Sequence, residues 1–503
     1  MSMAANIILL ASKEGEPDWA ADARYYSDPV DPDTPNDVAA DANGNVAVAV
    51  SGSPGFGVQS YNKYAGLTNL RFNNGIVQAG GAKISPNGEF VPYADGTTKV
   101  FYTPTFTDPG GINSWQVYNV FDVDVSDGSL TTFAYGRDSN VNYSDGGYTT
   151  MTSGGGDTSG NFYGCGFTRR SGGNQYPYLV KYNSSSAVQW ALVLQPQVAT
   201  HTAPGVSNAN FGSSQHMVSD SSGNTYVSLR HTTDSSDPGV FSYKLMKFNS
   251  SGVQQWVRVV SGPQYSGISA TDGTYLYSAD APTSSTLRVV ATNTSNGTIA
   301  WEKTLTFSGN TPAAKQIIVS GGYVYVLSET SNGATNNTNN LGMTWIKMST
   351  SGVTEWNRHI YASGDTYSTE FFSAAFKGAV VGSKMYTIFK GLGGSATVKL
   401  PLDGSKTGVV GKLPFISFGG AEPFTYNNYV SDINVDTLTI TASTTSTATS
   451  SSSTYGTTTT TMTTANVDVL SLGVTYDKAG IASALAPLNQ YNPVVAYSKR
   501  VLR

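Results

Sequence analysis

Charge is scarce in this sequence of 503 residues: Asp, Glu, Lys and Arg together make up 13%, about half the roughly 25% of ordinary soluble domains. Its surface must therefore be built from Ser, Thr, Asn and Gly. Lys and Arg number 29 against 34 Asp and Glu, a formal charge of -5, and no basic run offers the electrostatic footprint of a nucleic-acid binder. A single cysteine, Cys165, excludes an internal disulfide, and with only 4 histidines beside it a Cys/His metal cluster is excluded too. No stretch approaches the ~20 apolar residues of a membrane span. The opening segment, MSMAANIILLASKEG, has a short apolar run with no basic residue ahead of it, which argues against a standard secretory leader.

Helical periodicity is also missing. In its place stand short runs that alternate polar and apolar residues, the period of a strand: Asn45 to Val50, Asn224 to Leu229, Thr274 to Ser278 and Tyr323 to Ser328. With 39% hydrophobic and 11% aromatic residues the chain has material for sizeable cores. The expected fold is all-β.

The strands recur in units. The fullest opens on a turn, Asp220 to Asn224 (DSSGN), continues through Thr225 to Leu229 and Tyr243 to Phe248, crosses Asn249 to Gly252 (NSSG) and ends in a strand holding Trp256. The preceding unit runs from Asp157 to Asn161 (DTSGN) to Trp190, and two following units end on Trp301 and Trp356. These tryptophans lie 66, 45 and 55 residues apart, near the roughly 40 to 50 of propeller repeats once insertions are allowed. Looser copies begin at Asp41 (DANGN), near Ser85 to Glu89, near Asp127 and Gly128, and at Gly382 to Phe389. Such units predict a β-propeller of about seven four-stranded blades over residues 37–420, after an N-terminal arm, 1–36. Radial packing buries the sheet faces and leaves only short edges. Tryptophan is then the filler between neighbouring sheets.

The final segment, 421–503, changes character. Alternating runs at Ile433 to Ala442 and Val467 to Thr475 flank a Ser/Thr tract free of proline, which reads as a β-rich appendage with the tract as a long hairpin or loop. Residues 481–503 read as a docking segment.

The repeats resemble the short bacterial β-propeller repeat family: an acidic turn ending Gly-Asn, a Tyr-Val strand, an aliphatic Val-Lys-Tyr strand and a Ser-Ser-Gly turn before tryptophan. Residues 157–260 carry the resemblance best. Low charge, Ser/Thr/Gly/Asn richness and the Thr-rich appendage together resemble virion proteins of tailed bacteriophages. That likeness implies a tail-associated assembly or adhesion subunit made in the host cytoplasm, acting as a homo-oligomer or in a ring of partners, and touching other virion proteins and a host glycan or protein. The alternatives are a bacterial surface or secreted propeller that binds carbohydrate or protein, and a propeller enzyme that degrades polysaccharide.

Motifs for chemistry are thin. No HExxH, GxSxG, GxGxxG or Walker pattern occurs, and His201, His216, His231 and His359 are far apart. Cys165 reads as a buried small hydrophobe. A glycosidase needs two carboxylates about the scissile oxygen; Asp122, Asp124, Asp127, Asp138 and Asp145 supply acids without a pattern. Asp31, Asp33, Asp37, Asp157 and Asp220 have the oxygens for calcium, but turn capping explains the repeated ones. The expectation is a non-enzyme with no cofactor. Binding groups are expected on loops: Tyr143, Tyr148, Tyr176 and Tyr178 as amphipathic contacts, and His231, Asp234 and Asp237 in an insertion between strands.

Overall fold

The computed structural model describes residues 18–23, 34–51, 56–61, 67–73, 89–92, 98–102, 105–107, 114–116, 118–126, 128, 130–141, 148–169, 175–195, 216–232, 241–261, 268–332, 342–363, 377–391, 394–414, 430–445, 447–453, 456–464 and 474–475. Among them there is no helix; the strands form seven discrete sheets, each built on an antiparallel meander. Sheet one is Thr34–Ala40, Val46–Ser51, Phe56–Tyr61 and Leu67–Asn73; sheet two is Glu89–Pro92, Thr98–Tyr102, Tyr118–Val123 and Leu130–Asp138. Sheet three is Tyr148–Gly156, Phe162–Arg169, Gln175–Tyr182 and Val188–Gln195; sheet four is His216–Ser219, Thr225–Thr232, Phe241–Phe248 and Gln254–Ser261. Sheet five is Ile268–Thr271, Tyr275–Thr283, Thr286–Asn293 and Ile299–Phe307; sheet six is Asn310–Ser320, Tyr323–Asn332, Gly342–Ser349 and Thr354–Ser363. Sheet seven takes Lys377–Val381, Lys384–Gly391 and Gly394–Pro401, and its fourth strand is Trp19–Ala23 from the other end of the chain, paired Trp19 to Lys399 and Ala23 to Ser395.

The first strands of successive sheets neighbour one another in chain order, and Lys377–Val381 lies beside Thr34–Ala40. Consecutive sheets share apolar clusters. Tyr163, Cys165 and Leu179 of sheet three meet Val227, Met246 and Val257 of sheet four; Tyr226 and Leu245 meet Leu276 and Val290 of sheet five. Because both faces of a sheet are covered, middle strands lose the polar half of their alternation: Phe162–Arg169 is buried at every position but its last.

The Asp-x-x-Gly-Asn turns join first to second strands. In Asp157 and Asp220, Oδ1 accepts the backbone N–H two and four residues on, and Oδ2 accepts the Asn161 or Asn224 amide. Asp41 does the same in the earliest copy. Third and fourth strands are joined by the Asn-Ser-Ser-Gly type of turn, where Asn183 and Asn249 cap in the same way. Each is followed by a one-residue register shift in the ladder. The turn at Asp127 and Gly128, read from sequence as the start of a unit, is instead the turn between third and fourth strands of sheet two.

Each repeat tryptophan crosses to the next sheet. The face of Trp190 lies where a Cβ on Gly252 would come within 2.9 Å; Trp256, Trp301 and Trp356 meet Gly297, Gly352 and Gly404 likewise. The indole N–H of Trp190 donates to the Ser250 carbonyl at 3.1 Å, as does the Lys181 ammonium paired opposite it. Trp256 and Lys247 share the Thr294 carbonyl in the same manner.

Residues 421–503, read from sequence as an appended module, form no sheet of their own among the described residues. Val430–Asp436 adds to the outer edge of sheet six, Ile440–Thr444 to sheet five, Thr449–Ser452 to sheet four, Gly456–Thr459 to sheet three, Met462–Thr464 to sheet two and Val474–Thr475 to sheet one. The segment therefore runs as a strap along the outer strands, in the reverse of their chain order. Gly408–Pro414 pairs outside Val430–Asp436 and lies beside Trp19–Ala23. The Ser/Thr tract is strand because an exposed edge strand has only one partner and no core to fill, a place where Thr serves well.

Candidate functional site

A four-stranded meander places its first and third turns at one end and its remaining connections at the other. The described Asx-capped turns that join strands within sheets one to five are all first or third turns. The other end gathers the longer connections, and most of the positions picked out from sequence lie in them or in the strand ends beside them. Tyr148 opens the first strand of sheet three, paired with Arg169 on one side and with Gln116 of the Ser114–Gln116 strand on the other. Tyr176 stands near the start of the third strand of that sheet and is half-buried against the apolar cluster of sheets two and three. His231 is next to last in the second strand of sheet four, paired with Ser242. Sheets three and four are neighbours, so the topology brings these three positions to the same end of adjacent sheets.

Tyr178 is a correction. It is completely buried, its ring stacked on Tyr118 at 5.9 Å between centroids and 18° between planes, because two residues inside the strand the alternation already faces it into the core. Tyr143, Asp234, Asp237, Asp127, Asp145, Asp31 and Asp33 lie outside the described residues.

Asp37, Asp124, Asp138, Asp157 and Asp220 are engaged in the fold. Asp138, 1% exposed, accepts the Thr168 hydroxyl at 3.1 Å, the Asn140 N–H and amide, and the Thr460 hydroxyl at 2.9 Å. Asp124 caps Ser126, and Asp37 accepts the Val38 N–H. Asp157 and Asp220 also accept the hydroxyls of Tyr163 and Tyr226. Burial, reinforced by the hydrogen bond to Asp157, pushes the Tyr163 phenol far up, and burial with the adjacent Asp220 charge does so for Tyr226. These phenols are fixed donors, not general bases. Among the described residues no group of three or more His, Cys, Asp or Glu is placed to hold a metal ion. Cys165 is buried between sheets three and four.

Two polar sets inside the sheets escaped the sequence. Arg288 and Asp280 form a forked ion pair at 3.0 and 2.8 Å with side chains only 1% and 2% exposed. Burial raises the Asp280 carboxyl to about 6, against the pull of Arg288. His359 is buried, its Nδ1 at 3.0 Å from the Thr344 hydroxyl, which itself donates to Thr330; its ring stacks on Tyr361. Neither set carries a local sequence signal, since each joins residues that only strand pairing brings together.

The third missed set clasps the strap. Glu302, 2% exposed, accepts the hydroxyls of Thr445 and Thr447 and the backbone N–H groups of Thr447 and Ala448, at 2.6 to 3.1 Å. Burial by itself raises this carboxyl, but the four donors outweigh it and hold it below the usual glutamate range. Asn357 exchanges two amide bonds with the backbone of Leu438, and Asp138 with Asn140 holds Thr460. Each clasp sits where the strap passes from one sheet to the next.

No protein-family model matches the sequence, and no curated protein is significantly similar to it. Among solved structures the chain is similar to Raptor from Chaetomium thermophilum (TM-score 0.41, 11% identity, over 80% of this chain and 30% of that one). It is similar also to the β-propeller domain of the Trilobed protease from Pyrococcus furiosus (0.38, 9%, over 74% and 95%) and to the endosialidase of phage phi92 (0.36, 10%, over 80% and 71%).

Proposed function

We propose that the chain is a seven-bladed β-propeller, completed by its N-terminal strand, which acts as a non-catalytic recognition platform for carbohydrate or protein. The observation that carries this reading is the division of labour between the ends of the sheets. One end carries turns capped by Asp and Asn side chains that accept hydrogen bonds from the turn itself; the other collects the longer connections, free to vary on a rigid scaffold. The contact surface lies at that second end, over sheets three and four, around Tyr148, Tyr176 and His231. Asp124, Asp138, Asp157 and Asp220, carboxylates on which a sugar-cleaving enzyme could draw, are spent on turns, strap and core, which favours binding over turnover.

The test is an array of cell-surface polysaccharides and proteins probed with labelled full-length chain. Tyr148→Ala and His231→Ala weaken binding at least tenfold, whereas Gln189→Ala and Gln255→Ala, at the capped end, leave it unchanged. Equal losses from both pairs, or cleavage of a bound sugar, would sink the reading.

A place in a tailed-phage virion is the second reading, and the strap favours it. Subunits held at high local concentration must not pair edge to edge, and short polar strands along the outer edges suppress that. Peptide mapping of purified particles that found no trace of the chain would remove this setting and leave the binding function standing.

A further inference from the structure

The strap is bound differently from the sheets it covers. Its first strand, Val430–Asp436, is rooted in the core, with Ile433 and Val435 fully buried against Ile360 and Met343. Beyond it, from Leu438 to Thr464, the apolar anchors shrink to Met462, which is buried, with Leu438, Ile440 and Ala448 half-buried. Most of the other side chains are exposed Thr and Ser. Each contact with a sheet is a strand of three to five residues, covering only part of an outer strand of eight or nine. What fixes the passages between sheets is polar: Asn357, Glu302 and Asp138 at the turning points, with Arg258 bonded to Ser452 and the Ser450 hydroxyl to the Gly297 carbonyl between them.

Segments with few buried apolar contacts and solvent-facing hydrogen bonds open at lower free energy than the core that supports them. We propose that residues 438–464 form a releasable strap, which detaches as a unit while the seven sheets remain folded, and that Glu302 is its principal catch. Opening leaves the edge N–H and C=O groups of the outer strands to water, which is tolerable at a rim and not in a core. It also strands the Glu302 carboxylate without its four donors, so the catch favours the closed form at any pH at which that carboxyl is ionised. The device converts outer strands from covered to strand-accepting edges without unfolding the protein.

Native-state proteolysis of the full chain with thermolysin tests this, because Leu438, Ile440, Ala448 and Met462 offer cleavage sites in the strap. Cuts are mapped by mass spectrometry, and the sheets are followed by near-ultraviolet circular dichroism. When reclosing is faster than cleavage, the rate reports the population of the open form. E302Q accelerates cleavage within 438–464 about tenfold, equivalent to about 1.4 kcal/mol, and Asn357→Ala accelerates it likewise, while the near-ultraviolet signal persists. Val48→Ala, in the core of sheet one, speeds cleavage of the sheets but not of the strap. Strap cleavage within twofold of the parent in both clasp variants overturns the proposal, as does strap cleavage that rises with sheet cleavage in Val48→Ala.

Discussion

Gly252→Ala should lower the unfolding temperature by about 1–2.5 °C, and Ser186→Gly should raise it. Gly252 has φ 79°, and Ser186 occupies the equivalent turn position of sheet three at φ 62°. A Cβ in this left-handed region costs about 1–2 kcal/mol, partly offset by the roughly 0.5–1 kcal/mol of chain entropy that glycine forfeits. At Gly252 there is a second cost. The new Cβ meets Trp190 Cδ2 at 2.9 Å, and moving the indole strains its bond to the Ser250 carbonyl, which contributes about 0.5–1.5 kcal/mol. The sum is about 1–2.5 kcal/mol. For a chain this long, an unfolding entropy of about 2.1 cal/mol/K per residue converts each kcal/mol into roughly 1 °C. Ser186 already bears the left-handed strain; glycine there gains about 0.5–1 °C. Differential scanning calorimetry resolves both shifts, and Gly252→Ala in a Trp190→Ala background should cost less than half as much as in the parent. A neutral Gly252→Ala, or equal costs in the two backgrounds, refutes the glycine-tryptophan account of how neighbouring sheets are joined.

Removing one partner of the buried Asp280–Arg288 pair should be far worse than removing both. Arg288→Met costs about 3–5 kcal/mol, read as a fall of about 3–5 °C, whereas Asp280→Leu with Arg288→Met stays within about 1 °C of the parent. The sign with pH is set by burial: the folded pKa of Asp280 lies at about 6, above the ordinary 3.8, so its contribution is present below pH 4 and declines as pH rises towards 6. Arg288→Met steepens that decline, because an unpaired carboxyl is relieved only by taking up a proton; a flat calorimetric profile from pH 4 to 8 would count against it. Tyr226→Phe removes a hydroxyl that donates to the Asp220 carboxylate at 3.0 Å, a charge-assisted bond contributing about 1.5–3 kcal/mol. Its unfolding temperature falls by about 1.5–3 °C, and Asp220→Ala falls further because the turn loses its caps as well.

The parts of the fold legible in the sequence are those that a short window contains. Asp157 to Asn161 spells out its own turn, since the Asp carboxylate bonds groups two and four residues ahead; the same holds for Asn249 to Val253. Trp190 and Gly252 can be paired by counting, as both recur with the unit. The strap was not legible because alternation in Ile440 to Thr444 reports a strand without reporting its partner, and that partner, Lys303 to Phe307, lies far back in the chain. Tyr178 misled for a related reason. A tyrosine directly after Pro177 looks like loop, yet the ladder runs on from Gly166–Tyr178 to Arg169–Gln175, three residues beyond it.

The same contrast between local and distant partners divides the molecule energetically. From sheet three onward, sheets are tied by recurrent contacts of one kind: tryptophan on a glycine turn, with lysine and indole on a single carbonyl at two of the junctions. Loss of one sheet would expose the paired face of the next, so these sheets are coupled as nearest neighbours in a repeat array. The strap shares none of this. Its clasps, Asn357, Glu302 and Asp138, are three different chemistries, each occurring once along a segment that meets six of the seven sheets. A unit bound by singular contacts can open by losing them one after another, whereas sheets bound by recurrent ones fail together. It follows that changes to the strap should move protease sensitivity at the rim, and changes to a glycine turn should move the unfolding temperature.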